Sequence, residues 1–287
     1  MKITEIITGR KPSLSFEVFP PKTDDKFESV WSAAKEIALL SPSYMSVTYG
    51  AGGTTAGYTA EIGAAILQSG VTPLSHLTCV SADKDSIRKE LENLQSKGIE
   101  NILALRGDIP EGVDPDKLEY RYSSELAEEI TRFGGFCIGG ACYPESHPES
   151  PNGSFDIAML KRKVEAGCQF LTTQMFFDNN ILYNFMYRLY RAGVDVPVVA
   201  GIMPVTNAKQ IQRICSISKN ALPQRFVRIV DRFGDNPAAL KQAGIAYATE
   251  QIIDLYANGI NAVHVYSMNK PDVAMAIRNN LTEIVNG

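Results

Sequence analysis

A glycine stands a few residues before an apolar, strand-like run at five places in this 287-residue sequence. Gly70, Gly98, Gly167, Gly193 and Gly259 precede apolar runs at 73–79, 101–105, 169–175, 197–203 and 261–266. Glycine just past the last turn of a helix readily adopts the left-handed conformation that ends the helix, and the loop to the next strand is then short. The pattern therefore predicts helices and strands that alternate along the chain.

Three further strand-like runs, at 13–19, 44–49 and 136–143, bring the number of predicted strands to eight. Their spacing over most of the chain, roughly 30 residues, suits βα units. We therefore predict an α/β fold, a single (β/α)8 TIM barrel over residues 1–287. The competing fold is an open doubly wound sheet, which usually has a glycine-rich turn after its first strand. In this chain Pro20 and Pro21 follow the first strand instead.

The first predicted strand carries a carboxylate two residues from its end. Leu14, Phe16 and Val18 alternate there with Ser13, Ser15 and Glu17, so one face is apolar and the other polar. Burial of an ionised carboxylate without a partner is costly. Glu17 is therefore expected to be ion-paired, protonated or catalytic.

Polar residues recur near the carboxyl ends of most predicted strands. Assigning the apolar faces to the helices places the following residues inward: Ser15 and Glu17, Ser46 and Thr48, His76 and Thr78, Arg106 and Asp108, Thr172 and Gln174, and His264 and Tyr266. The interior of a structural barrel is mostly branched aliphatic, and barrel enzymes keep their active sites at the carboxyl ends of the strands. The pattern predicts a catalytic site at that end.

Arg106, Gly107 and Asp108 directly follow the fourth strand. They form either a charged turn with an Arg–Asp pair or part of the site, with Asp108 as a second carboxylate that complements Glu17.

Two other features, both in the fifth βα unit, each allow two interpretations. His147 follows the fifth strand and is either a surface histidine or part of the site. Lys161, Arg162 and Lys163 follow on a helix that Asp156 is expected to cap. These three cations form either a solvated face or a site for a pyrophosphate.

Composition narrows the functional classes. The net charge of −4 and the pI near 5.5 give no support to a nucleic-acid or membrane-surface role. No apolar run approaches the roughly 20 residues of a membrane span, and the N-terminus lacks a signal-peptide pattern. Five cysteines without a C-x-x-C pair suggest reduced thiols in the cytoplasm. No metal-binding motif and no G-x-S-x-G elbow occurs, so acid catalysis with an organic cofactor is the expectation.

Eight segments of the chain resemble methylenetetrahydrofolate reductases of the bacterial type. They are SFEVFPPK (15–22), VTYGA (47–51), HLTC (76–79), LRGD (105–108), YPESHP (143–148), KRK (161–163), TQMFFD (173–178) and GIMPV (201–205). The resemblance implies a barrel that holds FAD noncovalently and forms a homo-oligomer. It also implies reduction of 5,10-methylenetetrahydrofolate to 5-methyltetrahydrofolate, a step of one-carbon metabolism, with NADH or NADPH as the donor in a ping-pong cycle.

The resemblance also implies roles for individual residues. Glu17 corresponds to the general acid, Asp108 to the carboxylate beside flavin and pterin, and Gln174 to the glutamine that meets folate and nicotinamide nucleotide. The implied FAD contacts are Thr48, Tyr49, Ala51, His76, Arg106, Gly107, Asp108, Tyr143, His147, Asp156, Arg162 and Lys163. Folate contacts are implied for Glu17, Asp108, Gln174 and Lys270.

Two residues depart from the family pattern. Ala208 stands where some relatives place a phenylalanine against the substrate, and Lys270 stands where some have an arginine near the folate tail. Lysine keeps the charge but lacks the bidentate fork of arginine. Three alternatives remain open from the residues: a flavin-free barrel lyase that uses Glu17 and Asp108, a non-catalytic folate-binding barrel, and a reductase with an iron–sulfur partner.

Overall fold

Eight parallel strands close into a barrel in the computed structural model, which describes residues 1–21, 23–49, 56–217 and 222–287. The strands are β1 (Ser13–Val18), β2 (Met45–Val47), β3 (Pro73–Thr78), β4 (Asn101–Leu105), β5 (Cys137–Cys142), β6 (Phe170–Thr173), β7 (Val198–Ile202) and β8 (Ala262–Val265). Each strand pairs with its neighbours in sequence order, and β8 closes the ring against β1 with Ser15 opposite His264. The predicted (β/α)8 barrel is confirmed, with strands slightly shorter than the apolar runs.

Twelve α-helices are assigned in the described residues. They are α1 (Ile3–Ile7), α2 (Phe27–Ala38), α3 (Ala56–Gln68), α4 (Lys84–Ser96), α5 (Ser123–Phe133), α6 (Gly153–Glu165), α7 (Asn179–Arg191), α8 (Ala208–Ile217), α9 (Gln224–Phe233), α10 (Pro237–Ala257), α11 (Pro271–Asn280) and α12 (Thr282–Asn286). The predicted alternation of strands and helices did not include α1, which precedes the first strand, or three separate helices (α8, α9 and α10) between β7 and β8. The expectation that Asp156 caps α6 was wrong: the side chain of Asn152 accepts from the Phe155 N–H and caps the helix, and Asp156 lies inside its first turns.

Helix α1 closes the amino-terminal end of the barrel. Ile3 and Ile7 are buried against one residue from nearly every strand or its approach: Tyr44, Leu74, Leu103, Cys137, Phe170, Val199 and Ala262. Asn101 anchors the helix, because its Oδ1 accepts from the Ile3 N–H at 2.9 Å. The lower half of the barrel is therefore an apolar core that α1 covers.

Two interior glycines make room for large side chains. A Cβ at Gly139 would lie 2.4 Å from the Phe170 ring. A Cβ at Gly201 would lie 2.5 Å from the Tyr266 hydroxyl, which passes over β7 to donate to the Thr173 carbonyl on β6. Any larger residue at 201 would displace Tyr266 and crowd the Thr173 carbonyl.

Cys79, Cys137, Cys142 and Cys168 are buried free thiols. Among the described helices, none combines the length and apolar character that a membrane crossing requires.

The packing of α1 predicts a large stability effect from a residue far from the open end. Ile3→Ala removes a side chain that is fully buried, and we expect a loss of roughly 2–5 kcal/mol in unfolding free energy, measured by denaturant titration. Leu39→Ala is the control, because Leu39 is 83% exposed and the change should stay within about 0.5 kcal/mol. Equal, small effects of the two substitutions would contradict the role of α1 as a plug.

Candidate active site

Glu17 lies at the carboxyl end of β1 with its side chain only 16% exposed. Burial disfavours the charged form and raises the pKa of Glu17 from 4.5 to about 8. The Nε2 atom of His76, on β3, lies 3.8 Å from a Glu17 oxygen, which is too long for a hydrogen bond. Burial lowers the pKa of His76 to about 4, so both groups are neutral near pH 7. Glu17 was expected to be ion-paired, protonated or catalytic. The structure excludes the ion pair with His76.

A polar but uncharged layer lies beneath Glu17. His264 on β8 bonds through Nδ1 to the Ser15 hydroxyl at 2.8 Å and through Nε2 to the Ser46 hydroxyl at 2.9 Å. Because the Ser15 hydroxyl already donates to the Val263 carbonyl, it accepts from Nδ1–H, and Nε2 must then accept from Ser46. Burial lowers the pKa of His264 to about 3, so the histidine is neutral. The predicted interior positions of Ser15, Ser46 and His264 agree with these contacts.

At the end of β4, the residues that face the interior differ from those assigned from the sequence. Ile102 and Ala104 pack outward against the helices, and Leu103 and Leu105 face the interior. Arg106 and Asp108 therefore do not continue the inward series of the strand, and Asp108 is exposed. The alternation of side chains ends with the regular strand at Leu105, so it could not fix the direction of residues in the loop.

Arg106 pairs with Glu149 rather than with Asp108. Its two terminal nitrogens donate to the two Glu149 oxygens at 2.7 Å each, and its Nε donates to the Gly107 carbonyl at 3.1 Å. The Asp108 charge still acts on this group, since it helps to raise the pKa of both Arg106 and Tyr143. Glu149 has no local motif that could have identified it from the sequence.

The loop between β5 and α6 is built around His147 and Asp156. The His147 ring meets Tyr143 edge-on at 4.6 Å, and its Nδ1 accepts from the Glu149 N–H, which leaves Nε2 as the protonated nitrogen. Burial is the main cause that lowers the pKa of His147. Asp156 is buried, and its carboxylate accepts from the Ser150 hydroxyl at 3.0 Å.

The three cations of α6 take different environments. The Lys163 ammonium donates to the Ala141 carbonyl near the end of β5 at 2.7 Å, and burial lowers its pKa. Side chains of a helix lean toward its amino terminus, which lets Lys163 reach this end of the barrel. Arg162 lies over the Tyr122 ring at 5.6 Å, and Lys161 is exposed. Arg162 is exposed like Lys161, so the solvated-face interpretation holds for Lys161 and Arg162 and not for Lys163.

The remaining expected site residues surround the same opening. The Gln174 backbone donates to the Cys142 carbonyl, and its side chain lies near the Tyr143 hydroxyl. Lys270 donates to the Thr206 hydroxyl at 2.7 Å, and burial lowers the pKa of Lys270.

Of the three expected site residues directly after β2, two lie in the described part of the chain. The Thr48 carbonyl accepts from Thr59. Tyr49 is half-buried, and burial raises its pKa to about 12. Ala51 lies outside the described residues. In the part of the chain that is described, no group of three or more His, Cys, Asp or Glu side chains is arranged to hold a metal ion.

The raised pKa of Glu17 predicts a pH-dependent stability difference. The folded protein keeps a proton on Glu17 up to about pH 8, whereas the unfolded chain loses it near 4.5. Between these values the unfolded state binds fewer protons, so the unfolding free energy falls as pH rises. Glu17→Gln lacks this titration, and its stability relative to the parent should improve with pH by up to about 1.4 kcal/mol per unit. Denaturant titrations at several pH values measure the difference, and parallel curves would contradict a buried neutral acid.

Comparison with known proteins places the chain in a family. The family model described as methylenetetrahydrofolate reductase matches residues 2–282. The chain is 34% identical to 5,10-methylenetetrahydrofolate reductase of Pectobacterium carotovorum, over 92% of this chain and 88% of the relative. It is 33% identical to the reductase of Escherichia coli K12, over 92% and 89% of the two chains. Methylenetetrahydrofolate reductase (NADH) 1 of Zea mays is 36% identical, and the match covers 98% of this chain and half of the plant protein.

Solved structures support the fold. An uncharacterized protein from Clostridium thermocellum that binds two copies of 5-methyl-5,6,7,8-tetrahydrofolic acid superimposes with a TM-score of 0.67 at 12% identity, over 99% of this chain and 100% of that one. The family match over nearly the whole length, together with the bacterial relatives, shows that this chain belongs to the methylenetetrahydrofolate reductase family.

Proposed function

We propose that the protein reduces 5,10-methylenetetrahydrofolate to 5-methyltetrahydrofolate, with noncovalent FAD and with NADH or NADPH as the donor. We further propose that residues 1–287 form one catalytic domain, and that the protein acts as a homo-oligomer in the cytoplasm. The observation that carries the proposal is Glu17, a carboxylic acid kept neutral at the open end of the barrel. A neutral acid in this place is what the opening of the methylene bridge requires.

The residues present fit a flavin dinucleotide. The buried Nε2 of His76 has no hydrogen-bond partner among the described residues, so it is available to a ligand. The Nε2–H of His147 and the cations Arg106 and Lys163 offer donors to an extended anionic ligand. When bound, FAD would carry hydride from the nicotinamide to the folate. The residues proposed to hold it are Thr48, Tyr49, Ala51, His76, Arg106, Gly107, Asp108, Tyr143, His147, Asp156, Arg162 and Lys163.

Glu17 is proposed to protonate N10 of the folate. Cleavage of the methylene bridge leaves a cationic iminium at N5, and it proceeds only if the departing N10 gains a proton. General acids work best when their pKa lies near the working pH, and burial places Glu17 in that range. No cation among the described residues bonds to Glu17 to hold it in the ionised form, and the neutral His76 lies 3.8 Å away.

Asp108 and two further side chains complete the proposed folate site. Asp108 is exposed at the opening and remains near Tyr143, so it can offset the positive charge of the iminium. Gln174 and Lys270 are proposed to bind the folate. Lys270 is fixed by Thr206 as a single point charge, and it would hold a carboxylate of the folate tail without the fork that an arginine supplies.

Glu17→Gln is the direct test, because it keeps the shape and removes the proton. The donor half-reaction, in which NADH or NADPH bleaches the flavin absorbance, needs no such proton and should be retained. The folate half-reaction, in which methylenetetrahydrofolate restores the absorbance, should slow by about 10²–10⁴-fold. Anaerobic stopped-flow traces of one preparation measure both, with melting temperature and FAD released on denaturation as controls.

Three results would contradict the proposal for Glu17 or for the reaction. Normal folate reoxidation, or equal slowing of both half-reactions, would remove Glu17 from the acid role. A colourless parent protein that binds no added FAD would favour the flavin-free lyase or the folate-binding barrel.

Asp108→Asn tests the proposed anion. Loss of the negative charge should raise the reduction potential of the flavin and slow the folate half-reaction more than the donor half-reaction. Glu111→Gln is the matched control, because Glu111 is an exposed carboxylate of the same loop. Redox titration and the two stopped-flow assays measure the effects. The same potential and the same folate rate in both variants would make Asp108 a surface charge without a role in the reaction.

A further inference from the structure

The loop that follows β8 extends the pairing of β1 and β8 beyond the regular strands. The last backbone pair of this edge joins Phe16 to Val265. Beyond it, the Ser267 hydroxyl donates to the Glu17 carbonyl at 2.7 Å. The Asn269 side chain then brackets Phe19: its Oδ1 accepts from the Phe19 N–H and its Nδ2 donates to the Phe19 carbonyl, both at 2.9 Å.

These side-chain bonds take the place of backbone pairing, which the following prolines prevent in this segment. Pro20 and Pro21 follow Phe19 and have no N–H to donate. On the other side of β1, regular pairing reaches Val18, whose carbonyl accepts from the Thr48 N–H. Without Asn269, the Ser267 bond to the Glu17 carbonyl would be the last support of this segment on the β8 side among the described contacts.

The backbone of the β8–α11 loop is held in an unfavourable conformation at this point. Met268 and Asn269 both have positive φ, at 56° and 52°, in the left-handed region. Asparagine tolerates this region better than most residues, and methionine does not. Strain of this kind persists only where surrounding contacts enforce it, and it is concentrated at functional sites.

We propose that Asn269 is a positioning residue that fixes the carboxyl group of Glu17 by bracketing Phe19. The proposal rests on the proposed role of Glu17 as the acid of the folate half-reaction. The direction of a strand side chain follows from its own backbone and that of its neighbours, and Phe19 lies two residues after Glu17. Displacement of a catalytic group by about 1 Å can cost about 100-fold in rate.

Asn269→Gly is the most informative substitution. Glycine adopts the left-handed region without strain, so the loop keeps its course while both bonds to Phe19 are lost. The matched control is Tyr256→Phe, which removes the bond from the Tyr256 hydroxyl to the Ser13 carbonyl at the opposite end of the same strand. Each variant loses side-chain support of β1, but only Asn269→Gly does so next to Glu17.

The expected result separates rate from binding. In Asn269→Gly, the limiting rate of the folate half-reaction should fall by about 10- to 100-fold. The half-saturating folate concentration, the FAD content and the rate of the donor half-reaction should stay within about twofold, as should every parameter of Tyr256→Phe. Asn269→Asp retains only the acceptor for the Phe19 N–H, so its limiting rate should be intermediate. If Asn269→Gly does not fold, Asn269→Asp is the test: its limiting folate rate should fall while its half-saturating folate concentration and donor rate stay unchanged.

Each contrary result has its own meaning, and each overturns the proposal. Unchanged limiting rates would mean that the bracket has no part in the reaction. A change in half-saturation alone would mean that Asn269 acts through its neighbour Lys270. Equal slowing of both half-reactions with a lowered melting temperature would mean a structural role only. Glu17→Gln is run in parallel, because normal folate reoxidation in that variant would overturn the proposed acid and not the bracket alone.

Discussion

The pairing of β1 with β8 closes the barrel, and the acid of the site stands at the end of the same edge. Four backbone pairs, from Ser13 with Ala262 to Phe16 with Val265, form this closure. A closed barrel leaves no strand edge unpaired, so the backbone that carries a side chain at a strand end is held firmly in place. Glu17 follows directly after the last pair, and Ser267 continues the edge by donating to its carbonyl. Closure of the fold and placement of the carboxyl group therefore depend on one set of contacts.

The upper interior of the barrel is polar without being charged. Glu17 keeps its proton, and His76 and His264 remain neutral, because burial removes the water that would stabilise their charged forms. The cations Arg106 and Lys163 stand on the other side of the opening, where Glu149 and the Ala141 carbonyl bond to them. The site thus separates a neutral acid from the charged groups near which it would ionise.

The sequence predicted the strands of the barrel better than the side-chain contacts beyond their carboxyl ends. Glycines after helices and alternating apolar residues identified all eight strands, because both signals are local. The direction of Arg106 and Asp108 could not be predicted, because strand alternation says nothing about residues beyond Leu105. Glu149 lies 43 residues from Arg106, and a contact of that separation leaves no trace in a local pattern. Helix α1 was not predicted, because its 5 residues are too few for a strong helical period.

Keeping Glu17 protonated destabilises the fold, and the rest of the barrel has to offset it. At neutral pH the unfolded chain would release the proton that the folded state holds, and the pKa shift from 4.5 to about 8 makes this cost roughly 3 kcal/mol. That is a large fraction of the about 5–15 kcal/mol by which a typical domain is stable. The apolar layer that α1 seals lies at the opposite end of the barrel and contains no such group. A barrel can separate these two requirements along its axis, because the lower layers stabilise the ring while the carboxyl end holds a carboxylic acid in a neutral state that costs stability.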